Sequence, residues 1–465
     1  MVEKNQSITA YVESVTGSGE GVIRHEGITF FVPACLPGEK VSFRVLKVKG
    51  GVGYGKVEEV FTPSEHRVRP KCPVFLKCGG CTLQHLSYEE QLKLKAKTVK
   101  DALKKIAGID YEVPTAIASD AEYGYRNKLQ LPIGVDREGN TVIGFFAERS
   151  HRIIPIEECS IHPDWAKQLI AAVKTYSSAC HVKGYNEETG SGVLRHIVAR
   201  EIGGRFIFTL VVAKEKVTGL GYLIELLQKS FHEFSLYLNY HFEKTNVVFG
   251  ERFELVHGIG FFEAEECSIR YEAGPVTFLQ VNSGVRAKLY KAVVNQTVED
   301  GNEVVIDAYS GGGLMTAMLA KKAKRAYGIE LEREAVACAD SLKAKNKLEN
   351  VQNVCGKTEE ELPGVLAKEA GEKLRLVLDP PRAGLHRSVV DAVIQSGVER
   401  VTIVSCNPAT LARDLGLLTG TLIDRGGELI KAETPFGAYR IEKIQPYDMF
   451  PQTKHVETLV CLTRK

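Results

Sequence analysis

No stretch of this 465-residue chain is long and apolar enough to span a bilayer. The opening residues, Met1-Val2-Glu3-Lys4-Asn5-Gln6, lack the apolar core of a secretory signal. A cytoplasmic protein with no membrane partner is expected. Net charge is nearly absent too: 60 Lys and Arg against 58 Asp and Glu leave +2. No global field announces nucleic acid, so local clusters must carry any such case. In a reducing compartment the 11 Cys are a poor disulfide framework; clustered ones suit metal binding or catalysis better. The rest is an ordinary soluble composition, 44% hydrophobic and 25% charged, at a length that predicts two or three domains.

The branched run Val401-Thr402-Ile403-Val404 reads as a buried strand and leads into Ser405-Cys406-Asn407-Pro408. Pro408 keeps Asn407 out of the helical region, and a helix begins near Thr410. Cys406 therefore lies just past the carboxyl end of a strand, where open α/β sheets bind ligands. A lone Cys is more often a small buried hydrophobe. What surrounds Cys406 favours chemistry instead.

Residues 300–465 read as an α/β unit. Val304 to Tyr309 is a buried strand, Ser310-Gly311-Gly312-Gly313 a tight turn, and a helix follows from Leu314 to Lys321. Glycines such as Gly311 and Gly313 let the backbone approach a ligand closely. Glu330, 23 residues after Asp307, can accept hydrogen bonds from ribose hydroxyls. A dinucleotide and S-adenosylmethionine both fit such a loop. Asp379 ends another strand, Leu374 to Leu378, and precedes two prolines, so it is held at the same sheet edge as Cys406. Near the C-terminus, Asp448-Met449-Phe450 to Glu457 mixes acids with aromatics. It reads as an active-site wall, with His455 or Glu457 as candidate base.

Cys72, Cys78 and Cys81 have the spacing Cys-x5-Cys-x2-Cys, with Gly79-Gly80 inside. Three thiolates this close repel one another unless a cation holds them. Cys159, in a polar loop-like stretch, is the best fourth ligand. Four thiolates suit zinc or an iron–sulfur cluster, and the presence of a single Cys-x2-Cys element favours the cluster. Flanking His66, Arg67, Arg69, Lys71 and Lys77, and then Lys93, Lys95, Lys97, Lys100, Lys104 and Lys105 on a helix, read as a phosphate-contacting face. Cations beside apolar positions in Tyr125 to Ile133 and Leu194 to Arg200 suit a groove along a nucleic-acid backbone.

Residues 1–60 show short alternating runs broken by Gly and Pro. In Lys40 to Lys49 basic and apolar residues alternate, so one face is buried and the other cationic. With its Gly-rich turn and Leu36-Pro37-Gly38-Glu39, the segment resembles a TRAM domain, an RNA-binding module.

Five motifs together resemble one family, the S-adenosylmethionine-dependent RNA uracil-5-methyltransferases of the RumA and TrmA type. They are Phe278-Leu279-Gln280-Val281-Asn282, Asp307 to Gly313, Asp379-Pro380-Pro381-Arg382-Ala383-Gly384, Ser405-Cys406-Asn407-Pro408 and Asp448 to Glu457. The TRAM-like start and the four cysteines point to the branch that carries a 4Fe-4S cluster and modifies 23S ribosomal RNA; the alternatives are the same reaction on the transfer-RNA T-loop and a non-catalytic RNA-binding or assembly protein that keeps the fold. The resemblance implies three parts. Residues 1–60 form a TRAM- or OB-like β-barrel, residues 61–265 a central α+β domain with the cluster, and residues 266–465 a Rossmann-like α/β methyltransferase domain. A monomer is expected. By motif, Cys406 is the nucleophile that attacks uracil C6, and Glu457 the base. Gln280, Tyr309, Glu330 and Asp379 contact the cofactor, Asp379 also lies near the uracil, and Phe278 stacks on the target base. The family's usual Cys is Ser310 here. Leu314 and Lys357-Thr358 also depart from its polar pattern.

Overall fold

The computed structural model describes residues 2–148 and 150–465. Contacts divide the chain into two compact units, each discontinuous in sequence. One comprises Met1–Gln91, Ala121–Phe262 and Pro451–Lys454; the other comprises Leu92–Asp120, Glu263–Phe450 and His455–Lys465.

In the first unit, six strands pair in the spatial order Ser7–Tyr11, Lys40–Lys49, Val52–Thr62, Ile28–Pro33, Glu20–His25, Ser14–Val15. Val41, Phe43 and Val45 face a core with Ile23, Phe30 and Val32, as the alternation requires. The alternation slips after Val45, where the register shifts and Leu46 turns outward. Gly53 and Gly55 are needed by close approach: a Cβ would meet the Phe30 ring at 2.3 Å or the Phe43 ring at 2.5 Å. Glu39 is fully buried and structural. Burial alone would raise its pKa, but hydrogen bonds from Arg67, Ser64 and Leu36 outweigh that and hold it low. Arg67, expected on an RNA-contacting face, is thus committed to Glu39 at 2.5–2.7 Å.

The unit's second sheet has seven strands, in the order Arg252–His257, Phe234–Tyr240, Arg205–Val212, Leu194–Ile202, Lys128–Val135, Thr141–Phe146, Ile153–Pro155. The helices Trp165–Ala179 and Leu220–Gln228 pack on it through Leu169, Val173, Tyr176, Leu223 and Leu227. Arg195, expected in a backbone-tracking groove, is buried instead. Its guanidinium donates to the carbonyls of His241 and Glu243, at 2.9 and 2.6 Å.

The second unit holds the expected α/β sheet. Its order is Val351–Cys355, Arg325–Glu330, Val304–Ala308, Leu374–Leu378, Arg400–Ser405, Glu457–Arg464, Tyr439–Tyr447. The first five strands run parallel, Glu457–Arg464 is antiparallel to its neighbours on both sides, and Tyr439–Tyr447 therefore runs in the direction of the first five. Chain order reverses direction at Val304–Ala308, so a crevice opens at the carboxyl edge between it and Leu374–Leu378. Residues from Leu92 to Asp120 pack against this sheet, with Val99, Leu103 and Ala107 in its core. This changes the reading of the lysine run. Lys95 is buried against Asp448, while Lys97 pairs with Asp101, Lys100 with Glu112, and Lys104 with Asp110. The face is not a free cationic strip.

Candidate active site

The strand Arg400–Ser405 delivers Cys406 to the sheet edge. Asn407, in an extended conformation, caps the next helix by accepting from the Ala409 amide at 3.0 Å, and Pro408 occupies the first turn. The decisive geometry is across the sheet. Ser405 pairs with Thr458 in the antiparallel ladder, so the next position places Cys406 opposite Glu457. On the other side Leu378 pairs with both Ala308 and Ile403, which brings Asp379 to the same edge. Three groups separated by up to 78 positions in sequence thus share one end of one sheet.

The loop after Asp379 is tied to the Cys406 turn. The Arg382 carbonyl accepts from the Asn407 amide group at 3.1 Å and from the Thr410 hydroxyl at 3.3 Å. The Leu385 amide donates to Asp414 at 2.9 Å. Gly384 has φ +78°, and a Cβ there would meet Arg413 at 2.5 Å. The loop so fixed aims the Arg382 guanidinium at the Cys406 thiol.

Electrostatics follow from this packing. Burial pushes Glu457 up to about 8; neighbouring Asp379 adds to the rise and Arg382 opposes it. Burial alone raises Asp379 to about 7. Asp307 also rises to about 7 through burial, despite the hydroxyl of Thr316 donating at 2.6 Å, with Asp379 and Glu330 adding repulsion. The Cys406 thiol is raised by burial and by Glu457, against Arg382. A thiol, a carboxyl poised near neutrality and a cation beside them are groups that covalent catalysis with proton abstraction could use.

Beside them lies a cavity of about 320 Å³, walled in part by Phe278, Tyr290, Asp307, Tyr309, Gly311 and Asp379. It fits an adenosyl cofactor. A Cβ on Gly311 or Gly312 would meet nothing within 4 Å, so the turn presents bare backbone to the cavity. The acids Asp307 and Asp379 suit a cationic ligand. Of the expected cofactor residues, Tyr309, Gly311 and Asp379 line this wall; Gln280, Glu330 and Gly313 stand outside it. Glu330 accepts from the Gly311 amide at 2.9 Å and the Glu332 amide at 3.0 Å, which fixes the turn. Gly313, at φ +80°, starts the helix where a Cβ would come within 2.7 Å of Ala339. The Gln280 carbonyl accepts from Arg286 at 2.8 Å. Phe278 is 72% exposed at the cavity's wall.

Sequence reasoning missed several groups. Tyr290 lines the cavity from the helix Ser283–Thr297, and nothing local marks it. Arg382 lay within a quoted motif without a role. Thr358, where no polar match was evident, hydrogen-bonds Tyr309. Tyr309 itself is held at φ +67°, and its hydroxyl is raised to about 12 by burial and Glu359. Leu314 contributes apolar wall.

In the first unit Cys72, Cys78, Cys81 and Cys159 lie near enough to repel one another. Burial first, then the other thiols, pushes Cys81 up to about 11 and Cys159 to about 12. Leu76 and Gly79 at positive φ turn the chain around them. Among the described residues, no three His, Cys, Asp or Glu side chains converge as a group that holds a metal ion.

The family model described as tRNA (uracil-5-)-methyltransferase matches residues 260–465. An uncharacterised RNA methyltransferase of Clostridium acetobutylicum is 35% identical over all of this chain and 98% of its own length. One from Listeria monocytogenes is 35% identical over 99% and 98%. The crystal structure of Pyrococcus abyssi tRNA (uracil-54, C5)-methyltransferase in complex with S-adenosyl-L-homocysteine is similar with a TM-score of 0.76. It is 26% identical and covers 98% of this chain and 100% of that one.

Proposed function

Because the chain belongs to the tRNA (uracil-5-)-methyltransferase family of RNA methyltransferases, we propose that it methylates C5 of a uridine in 23S ribosomal RNA, with Cys406 as nucleophile and Glu457 as base. The observation that carries this reading is the ladder register that sets Cys406 opposite Glu457, beside Asp379 and the cavity.

Uracil C5 is a poor nucleophile, and the residues here overcome that in steps. The target base leaves its stack to reach the crevice, and the exposed Phe278 offers it a ring to stack on. The half-buried Cys406 thiol gives up its proton to water, and the Arg382 guanidinium favours the thiolate. Sulfur then bonds to C6, and the electron pair displaced from the C5–C6 double bond makes C5 carbanionic. Tyr309, Gly311 and Asp379 would hold S-adenosylmethionine, which would supply the methyl group to C5 and leave as S-adenosylhomocysteine. Glu457 next takes the C5 proton; the freed electron pair reforms the C5–C6 double bond, the C6–S bond breaks and thiolate returns to Cys406. A carboxyl raised to about 8 by burial is a stronger base than an ordinary carboxylate. Glu330, behind the glycine turn, keeps oxygen lone pairs for ribose hydroxyls.

Two features favour the ribosomal substrate. We read the sheet of residues 7–62 as a TRAM domain, and its outer surface sets Lys47 directly across from exposed Tyr54, a pairing suited to phosphate and base contact. The four cysteines are the ligands we assign to a 4Fe-4S cluster. What supports this is their mutual proximity, close enough for the thiols to repel one another, and the tight turn with Gly79 at positive φ between them. Protein purified without oxygen is expected to be brown and to contain iron and acid-labile sulfide. Colourless protein with stoichiometric zinc would overturn the assignment.

A second reading, methylation of a transfer-RNA uridine, is favoured by the likeness to the Pyrococcus enzyme along 98% of the chain. Mapping 5-methyluridine in ribosomal and transfer RNA from cells with and without this protein decides between them. Loss of the mark from 23S RNA alone is expected; loss from transfer RNA alone would overturn the ribosomal assignment.

A further inference from the structure

Lys95 was the member of the lysine run that the fold removed from solvent. It is 1% exposed, on the helix Tyr88–Ala102. Its ammonium donates to a carboxylate oxygen of Asp448, itself 0% exposed, and to the Phe450 carbonyl at 3.0 Å. One cation therefore grips both ends of a three-residue turn. That turn begins one residue after Tyr447, and Tyr447 is the direct ladder partner of Glu457. The Asp448 amide is also fixed, donating to the Ile117 carbonyl at 2.9 Å.

Stability alone is a weak reason for this arrangement. A buried ion pair costs several kcal/mol of desolvation per ion, and apolar replacements of similar volume are often neutral or stabilising. The second Asp448 oxygen, Oδ2, has no hydrogen-bond partner among the described residues, so the pair is not even fully satisfied. What the pair does supply is a rigid, directional hold on the backbone beside Glu457.

We propose that Lys95 is a positioning residue for the elimination step: through Asp448 and Phe450 it fixes the end of the strand Tyr439–Tyr447, whose Tyr447 pairs with Glu457 and so holds Glu457 against Cys406. This rests on Glu457 being the base. Misplacing a catalytic group by about 1 Å can cost roughly 10²-fold in rate. The loss should fall on proton removal from C5 and not on the sulfur–C6 bond or on methyl transfer, because Cys406 and the cavity hang from other strands.

The test uses the full chain as Lys95→Met and as Lys95→Met/Asp448→Leu, with Glu457→Gln run alongside. The double variant leaves no unpaired buried charge and is expected to fold, with cooperative thermal unfolding. Its KM for RNA and for S-adenosylmethionine should stay within about threefold of wild type, its turnover should fall about 10- to 100-fold, and a covalent protein–RNA adduct should accumulate on denaturing gels. Adding Cys406→Ala should remove the adduct. Wild-type turnover in the folded double variant would overturn the proposal. So would an adduct with Glu457→Gln but none with the double variant. No adduct with Glu457→Gln either would overturn the base assignment itself.

Discussion

Replacing Cys406 with alanine is expected to abolish methylation while leaving RNA binding intact. Without the sulfur no bond forms at C6, and C5 never becomes nucleophilic enough to take the methyl group. Deleting a covalent nucleophile costs on the order of 10⁵-fold or more in turnover, roughly 7 kcal/mol of barrier. Fold and affinity should survive. The side chain is half-buried at the head of a helix whose cap, Asn407, is untouched, and the thiol carries no charge that binding needs. Incorporation of labelled methyl groups into RNA, measured beside RNA affinity, checks both halves. Methylation at the wild-type rate would end the covalent reading, whereas equal loss of binding and methylation would mean that the substitution damaged the site as a whole.

Glu457→Gln should instead stop the reaction part-way. Glutamine is nearly isosteric, so the sulfur–C6 bond and methyl transfer remain possible, but an amide does not accept the C5 proton. Removing a general base costs about 10²- to 10⁴-fold. The methylated adduct then has no route to elimination, and the enzyme stays bonded to RNA. A retarded band on a denaturing gel is expected, dependent on S-adenosylmethionine being present and absent from the Cys406→Ala/Glu457→Gln double variant. Free methylated RNA released at the wild-type rate would remove Glu457 from its role. Because Glu457 is 3% exposed and raised to about 8, the glutamine is neutral where the native carboxyl was already partly neutral, so the fold should tolerate it.

The local parts of this site were legible because they depend on neighbours in sequence. Pro408 forces the strand-to-helix turn at Cys406, consecutive glycines force the turn after Tyr309, and two prolines pin Asp379 at a strand end. The alternation in Lys40 to Val45 holds because a pleated strand puts successive side chains on opposite faces. Charge was where the local reading failed. Arg67, Lys95 and Arg195 look like surface cations in a window of ten residues. Each is withdrawn by a distant acceptor: Glu39 for Arg67, Asp448 for Lys95, and the carbonyls of His241 and Glu243 for Arg195. The partner of Lys95 lies 353 positions away. No periodicity carries that information.

Cys406 and Glu457 show the division most plainly. The sequence by itself determined that a thiol ends a buried strand, that an acid comes just before the last strand, and that a glycine turn and Asp379 stand at strand ends too. Those facts follow from backbone restrictions of Pro and Gly and from the period of apolar residues. Only the tertiary structure decided that Glu457 faces Cys406, because antiparallel pairing of the two strands, Ser405 with Thr458, sets which residues meet. It also decided the protonation balance. The rise of Glu457 and Asp379 comes from burial in a crevice built by strands remote in sequence, opposed by an arginine that a folded loop delivers. Desolvation and register are properties of packed neighbours, and packed neighbours exist only once the chain has folded.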